Sequence, residues 1–187
     1  ASRNIPIVMA PRVASKTENL SISEPLPPGP LTALAGVKVK RVSSLPPGIT
    51  VDISTASASM HNHHQHQVTR WMEDIECLTA KPYWQSAKSK LVVAKNNTTY
   101  YVAAWLEQET WKTLFSEITH QYGIATQSLA EGLRLSRMSS QDGQQHFQML
   151  VNYSDQAQLW QPEQEQAQLL LGSAKVQAQQ VAIWKVL

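Results

Sequence analysis

Apolar and polar positions fall into two regimes along this chain. Ile5 to Ala10 is a short apolar run that stops at Pro11, the pattern of a buried strand whose ladder ends where a backbone N–H is lost. A polar loop leads to Pro27-Pro28-Gly29-Pro30, where Pro30 suits the first position of a short helix, Leu31 to Leu34, and Gly36 closes it. Val37, Val39 and Arg41 alternate with Lys38, Lys40 and Val42, which predicts a strand exposed on at least one face. Between Ser43 and Gln67 there is little to bury, so residues 43–67 read as a partly mobile surface loop. A strand opening into a loop such as Arg12 to Leu26 normally follows earlier elements of a βαβ domain, because a lone parallel strand has nothing to pair with. The expectation is a chain that forms the tail end of a larger protein.

Order resumes at Val68. The segment Val68 to Thr79 fits strand or helix, and the β-formers Val68, Thr69 and Trp71 favour strand at its start. Leu91 to Ala94 and Thr99 to Trp105 flank Lys95-Asn96-Asn97-Thr98, where an Asn can take the positive φ that a hairpin turn demands. Trp111, Leu114, Phe115, Ile118 and Tyr122 recur at helical spacing, predicting an amphipathic helix over Gln108 to Tyr122 stopped by Gly123. Beyond it the pattern turns all-β. Leu133–Met138, Phe147–Tyr153, Ala157–Trp160, Ala167–Leu171 and Val181–Val186 are short strands at close spacing, the mark of an antiparallel sheet or small sandwich. A boundary near Ala125 divides the chain into residues 1–124 and 125–187.

Composition narrows the picture. With 187 residues, 42% hydrophobic and 16% charged, the chain is globular and long enough for one substantial core or two small ones. A net charge of +2 without any Lys/Arg block excludes nucleic acid and an anionic membrane as partners. The one cysteine, Cys77, cannot form an internal disulfide and reads as a small apolar residue. No apolar run approaches the ~20 residues of a membrane span, and the first residues lack a signal-peptide core. A soluble, cytoplasmic protein without a cofactor is expected.

Several stretches then matter together: Ala10-Pro11-Arg12 with Ser15-Lys16-Thr17; Pro27 to Leu31 leading through Leu34 to Gly36-Val37; Trp71 with Glu73-Asp74; Tyr100-Tyr101-Val102 with Trp105-Leu106; and Asn152-Tyr153-Ser154-Asp155 followed by Leu169-Leu170-Leu171-Gly172 and Val181 to Trp184. Their order and spacing resemble the C-terminal part of bacterial β-galactosidases of glycoside hydrolase family forty-two, over nearly the whole chain. The segment Ala80 to Thr99, short and without the family's glycines, and the histidine-rich loop depart from that pattern. The resemblance implies an α+β chain: a partial α/β domain, a Rossmann- or flavodoxin-like remnant of the kind that mediates trimer formation, followed by a small antiparallel β-sandwich-like domain. It also implies that the catalytic (β/α)8 barrel is absent, and that the partners are that barrel and neighbouring subunits of a homo-oligomer.

Retaining glycosidases need two carboxylates about 5–5.5 Å apart, and the family holds them at barrel strand ends. No catalytic residue is therefore expected here, and the cluster Glu73, Asp74 and Glu76 reads as capping or ion pairing. Arg12, Lys16 and Thr17 follow a strand end, where open α/β sheets place their ligand crevices. Their cations either bind an acidic group on a neighbouring domain or tie the loop to carboxylates and carbonyls. With Trp71 and Glu73 they are the candidates for domain or subunit contact. His61, His63, His64 and His66 offer imidazoles to a metal such as zinc, though a Gln/His loop lacks the rigid support such sites have. Trp71, Trp105, Trp111, Trp160 and Trp184 either stack on sugars or fill cores. Two other functions stay open: a free-standing carbohydrate- or metal-binding module, and the remnant of a split gene.

Overall fold

In the computed structural model, which describes residues 4–55, 66–163 and 166–186, the opening apolar run forms β1 (Ile7–Met9). A 3-10 turn, Gly29–Leu31, passes into the one-turn helix α1 (Thr32–Ala35). Then come β2 (Val37–Ser44), β3 (Val51–Thr55), β4 (Gln67–Cys77), β5 (Lys81–Ser86), β6 (Leu91–Asn96), β7 (Thr99–Val102), β8 (Ala104–Leu106) and helix α2 (Gln108–Gln121). The chain divides into two compact units, Ala1–Ala125 and Thr126–Leu187. No helix among the described residues is long and apolar enough to cross a membrane.

The strands of the first unit make one mixed sheet in the order β1-β7-β6-β5-β3-β4-β2, with β8 also on β4. The β1·β7 pair is parallel, placing Val8 beside Tyr100, and the other pairs described are antiparallel. The expectation that β1 would lack a partner within this chain is thus corrected: β7 lies far along the sequence, and pairing at such range leaves no local signal. The loop expected over 43–67 is corrected as well. β2 runs on to Ser44, and Val51–Thr55 is a strand joining β4 to β5; only its Val51-Asp52-Ile53 alternation marks it in the sequence. Residues 56–65 of that stretch lie outside the described residues.

Both faces of this sheet are covered. On one, Leu114 and Ile118 of α2 pack with Val68, Met72, Trp84, Tyr100 and Val102. On the other, Ala35 of α1 and the loop after β1 pack with Val37, Val39, Ile75, Ala94 and Tyr101. Double coverage explains why β7 is buried at every position rather than at alternate ones. It also splits the run expected as one strand, Thr99 to Trp105. At Ala103 the backbone N–H still bonds Val92 on β6, while the carbonyl accepts Glu73 N–H on β4, so β8 leaves β7's neighbours and pairs with β4.

A bulge changes which residues of β2 face inward. Val39 opposes Ile75 but Arg41 opposes Asp74, so Lys40 is the extra residue. Val42 thereby joins Val37 and Val39 on the second core, and Arg41 turns out to an ion pair with Asp74. Strict alternation predicted the reverse for these two.

The second unit carries an antiparallel sheet ordered β12-β14-β10-β9: β9 (Leu133–Ser139), β10 (His146–Asn152), β12 (Ala167–Leu171) and β14 (Val181–Val186). A two-stranded ribbon of β11 (Gln158–Leu159) and β13 (Lys175–Val176) accompanies it. Val176 and Trp160 pack with Leu133, Leu150, Ala182 and Trp184, Trp160 meeting Trp184 edge-on at 5.0 Å. Asn152, fully buried, fastens the loop after β10. Its amide donates to the carbonyls of Gln156, Val176 and Gln177, and its Oδ1 accepts Ser154 N–H and Oγ–H.

Gly36 and Gly123 both end helices at positive φ, 69° and 62°. They differ in surroundings. A Cβ on Gly36 would lie 2.7 Å from Asn96 and Thr79 side-chain atoms and 2.8 Å from Ala80 N, whereas one on Gly123 meets nothing within 4 Å. The Gly36 carbonyl also accepts Leu78, Thr79 and Ala80 N–H, so the chain there cannot retreat. Gly36→Ala is expected to cost about 3 kcal/mol or more, combining left-handed strain with overpacking, and Gly123→Ala only about 1 kcal/mol. Urea unfolding of the two variants checks this; equal losses would contradict it.

Candidate functional site

The loop between β1 and α1 is built on β4. Strand alternation turns Trp71, Glu73 and Ile75 toward the second core, away from Met72. Glu73 is 1% exposed, and a carboxylate taken out of water must find donors. It finds three. Tyr101 O–H donates to Oε2 at 2.6 Å, the Arg12 backbone N–H to Oε1 at 3.1 Å, and Trp71 Nε1–H reaches Oε1 at a longer 3.5 Å. Burial first, and then the hydrogen bond and negative charge of Glu73, push the Tyr101 phenol well above the usual tyrosine range.

Arg12 takes a positive φ of 65° to present its N–H to Glu73, a sparsely populated conformation of the kind that clusters at functional sites. Its guanidinium lies over the Trp71 ring, 5.2 Å from the centroid. Between loop and sheet is a cavity of about 200 Å³, with Trp71 and Glu73 on the β4 side and Arg12, Lys16, Leu26 and Val42 around it. Arg12 and Lys16 are exposed, and among the described residues neither is ion-paired. The structure therefore brings Arg12, Lys16, Trp71 and Glu73 around one cavity. Thr17 lies just beyond, its N–H held by the Ser21 carbonyl at 2.9 Å. Chemically this is an apolar recess with a buried carboxylate behind it and two unpaired cations at its rim.

The rest of the acidic cluster is on the surface. Glu76 pairs with Lys40 at 2.6 Å and Asp74 with Arg41 at 3.9 Å, and Lys40 holds the Glu76 carboxyl below its usual range. Of the four histidines, His61, His63 and His64 lie outside the described residues. His66 is buried, stacked 6.2 Å from Trp84 with Nδ1 3.4 Å from Thr110 Oγ1. Among the described residues no group of three His, Cys, Asp or Glu side chains is placed to hold a metal.

Two groupings escaped the sequence reading. Trp84, 1% exposed, and Tyr83 both donate to Glu117 Oε2 at 3.1 Å, while Lys95 sits over the Tyr83, Tyr100 and Tyr122 rings. Burial and the Glu117 charge raise the Tyr83 phenol. In the second unit Ser139 Oγ and His146 Nδ1 are 2.9 Å apart as register partners, but the pair is exposed. Only the tertiary pairing of strands joins these residues.

Residues 5–125 match the family model of the β-galactosidase trimerisation domain. The chain is 34% identical over 180 residues to a β-galactosidase of Thermus thermophilus, spanning 96% of this chain and 26% of that protein. A crystal structure of the β-galactosidase from the psychrophilic Marinomonas ef1 shares its fold with a TM-score of 0.70 at 26% identity, over 97% of this chain and 26% of that one. The β-galactosidase of Bacillus circulans sp. alkalophilus shares the fold at 0.74 and 15% identity, over 96% and 29%. The chain thus spans about a quarter of the length of the relatives it matches.

Removing Glu73 leaves a phenol, an indole N–H and a backbone N–H unmet, so Glu73→Ala is expected to cost about 3–5 kcal/mol; Glu73→Gln, which keeps one acceptor oxygen, should cost about 2 kcal/mol. Denaturant unfolding of both distinguishes a tether from a surface charge, for which neither would matter. Tyr101 gives a pH test. Its folded pKa lies above the unfolded value near 10, so its contribution is full below about pH 10, where both states keep the proton. Above that the unfolded chain loses the proton first and stability falls. Tyr101→Phe should flatten this alkaline decline in unfolding measured above about pH 10; an unchanged slope would sink the assignment.

Proposed function

Because the chain belongs to the β-galactosidase trimerisation-domain family of glycoside hydrolase family forty-two over residues 5–125, we propose that it is a non-catalytic scaffold of such an enzyme. It corresponds to the trimerisation and C-terminal region of those β-galactosidases. The parent hydrolyses terminal β-D-galactosides with a barrel that these 187 residues do not include. The first unit holds subunits together, and the second packs against the remainder of the enzyme. The family match across the whole unit that contains the Glu73-tethered loop carries this reading.

Arg12, Lys16, Thr17, Trp71 and Glu73 serve contact rather than chemistry. Glu73, 1% exposed and held by three donors, ties the loop to the sheet. The indole and the two unpaired cations at the rim are the residue types that anchor interfaces.

The purified 187-residue chain is expected to sediment as a trimer and to leave a nitrophenyl galactoside intact. A monomer at all concentrations would overturn the scaffold role. Turnover by the chain alone would overturn its being non-catalytic.

A further inference from the structure

The inner face of the second unit's sheet changes character along its strands. Register partners share a face of an antiparallel sheet, and so do residues two apart on one strand. At one end of that face Leu133, Leu150 and Ala182 pack with Val176 and Trp160. Toward the β9–β10 turn the same face carries two further rows, Arg137–Gln148–Trp184 and Ser139–His146–Val186, polar on β9 and β10 and apolar on β14. Arg137, Ser139, His146, Gln148 and Val186 line a cavity of about 300 Å³ there, large enough for a small molecule.

The polar groups of this cavity are positioned without being used up. Ser139 Oγ lies 2.9 Å from His146 Nδ1, which orients the imidazole and leaves Nε2 without a partner among the described residues. Arg137 gives one N–H to Gln127 Oε1 at 2.7 Å and, among the described residues, has no carboxylate partner. Gln148, 5% exposed, keeps the wall polar away from bulk water. Among the described residues no acidic side chain lines the cavity. The carboxylate nearest in sequence, Asp142, is committed to the turn, accepting Ser140 Oγ–H and Gln144 N–H.

An arginine with spare N–H groups and no carboxylate beside it selects an oxyanion, a phosphate or a carboxylate. Ser139 and a neutral His146 each combine a donor with an acceptor, the combination that answers a hydroxyl group. We propose that the cavity binds a small acidic sugar, with its phosphate or carboxylate on Arg137, its hydroxyls on Ser139 and His146, and a C–H face of its ring against Val186. The site lies within the second unit and goes beyond the scaffold reading, on which it does not rest.

The test is isothermal titration calorimetry on the full 187-residue chain, with circular dichroism confirming that each variant is folded. The probes are galactose 6-phosphate, galacturonate, neutral galactose and inorganic phosphate. At least one acidic sugar should bind saturably, and the tighter of the two identifies the anion. Neutral galactose should bind at least about tenfold more weakly, as expected when one charge-assisted hydrogen bond is lost. Arg137→Gln should weaken the acidic sugar by about tenfold or more and leave galactose unchanged, whereas Ser139→Ala with His146→Phe should weaken both. Lys185→Gln, which removes a cation from the opposite face of β14, should change nothing. No saturable binding of either acidic sugar would overturn the proposal, as would an equal loss with Lys185→Gln. Inorganic phosphate binding as tightly as galactose 6-phosphate would overturn the sugar. None of these outcomes bears on the association of the first unit, so the scaffold reading stands or falls separately.

Discussion

A carboxylate that folding removes from water has to be met by donors, and the way Glu73 is met organises the first unit. Tyr101 comes from a strand buried on both faces, Trp71 from Glu73's own strand two residues back, and the Arg12 N–H from a loop turned through a positive φ. The last of these ties a long connection to the sheet at one point. Without it the loop between β1 and α1 would have Val13 and Leu31 as its apolar contacts with the second core, and the cavity beside Trp71 would have no fixed wall.

Double coverage of the sheet sets up that obligation. With α2 on one face and α1 plus the loop on the other, consecutive residues such as Met72 and Glu73, or Tyr100 and Tyr101, are both buried and point into different cores. The sheet is therefore rigid where it carries the loop. A rigid base suits a contact surface, because little conformational freedom remains to be lost when a partner docks. The second unit uses the same device on a smaller scale: buried Asn152 satisfies five hydrogen bonds and leaves Tyr153 beside it 70% exposed on a fastened loop.

Much of this architecture is legible in the sequence, and the rest is hidden for specific physical reasons. The α2 helix, the β6–β7 hairpin with Asn97 at positive φ, and the glycine stops at Gly36 and Gly123 follow from local periodicity and local backbone preference. The inward turn of Val42 was not readable, because a bulge at Lys40 shifts the alternation and nothing in Lys-Val-Lys-Arg-Val announces it. β5 leaves no clear local signal, because Lys-Pro-Tyr-Trp-Gln-Ser has a proline and no clear alternation, yet it brings Tyr83 and Trp84 to Glu117. At the candidate site Arg12, Lys16, Trp71, Glu73 and Tyr101 all belong to the stretches of the family pattern, but nothing in the sequence joins Tyr101, the shortest bond, to Glu73.

Elements built from neighbours in the chain, and the family that their order identifies, were determined by the sequence alone, since helical period, turn chemistry and glycine stops act over a few residues. Which cation meets which ring, which carboxylate is buried and which strand becomes β1's partner were decided by tertiary structure. Those outcomes depend on pairings between residues about sixty to ninety positions apart, and pairing at that range is selected by burial across the whole sheet, a free energy that no local stretch of sequence carries.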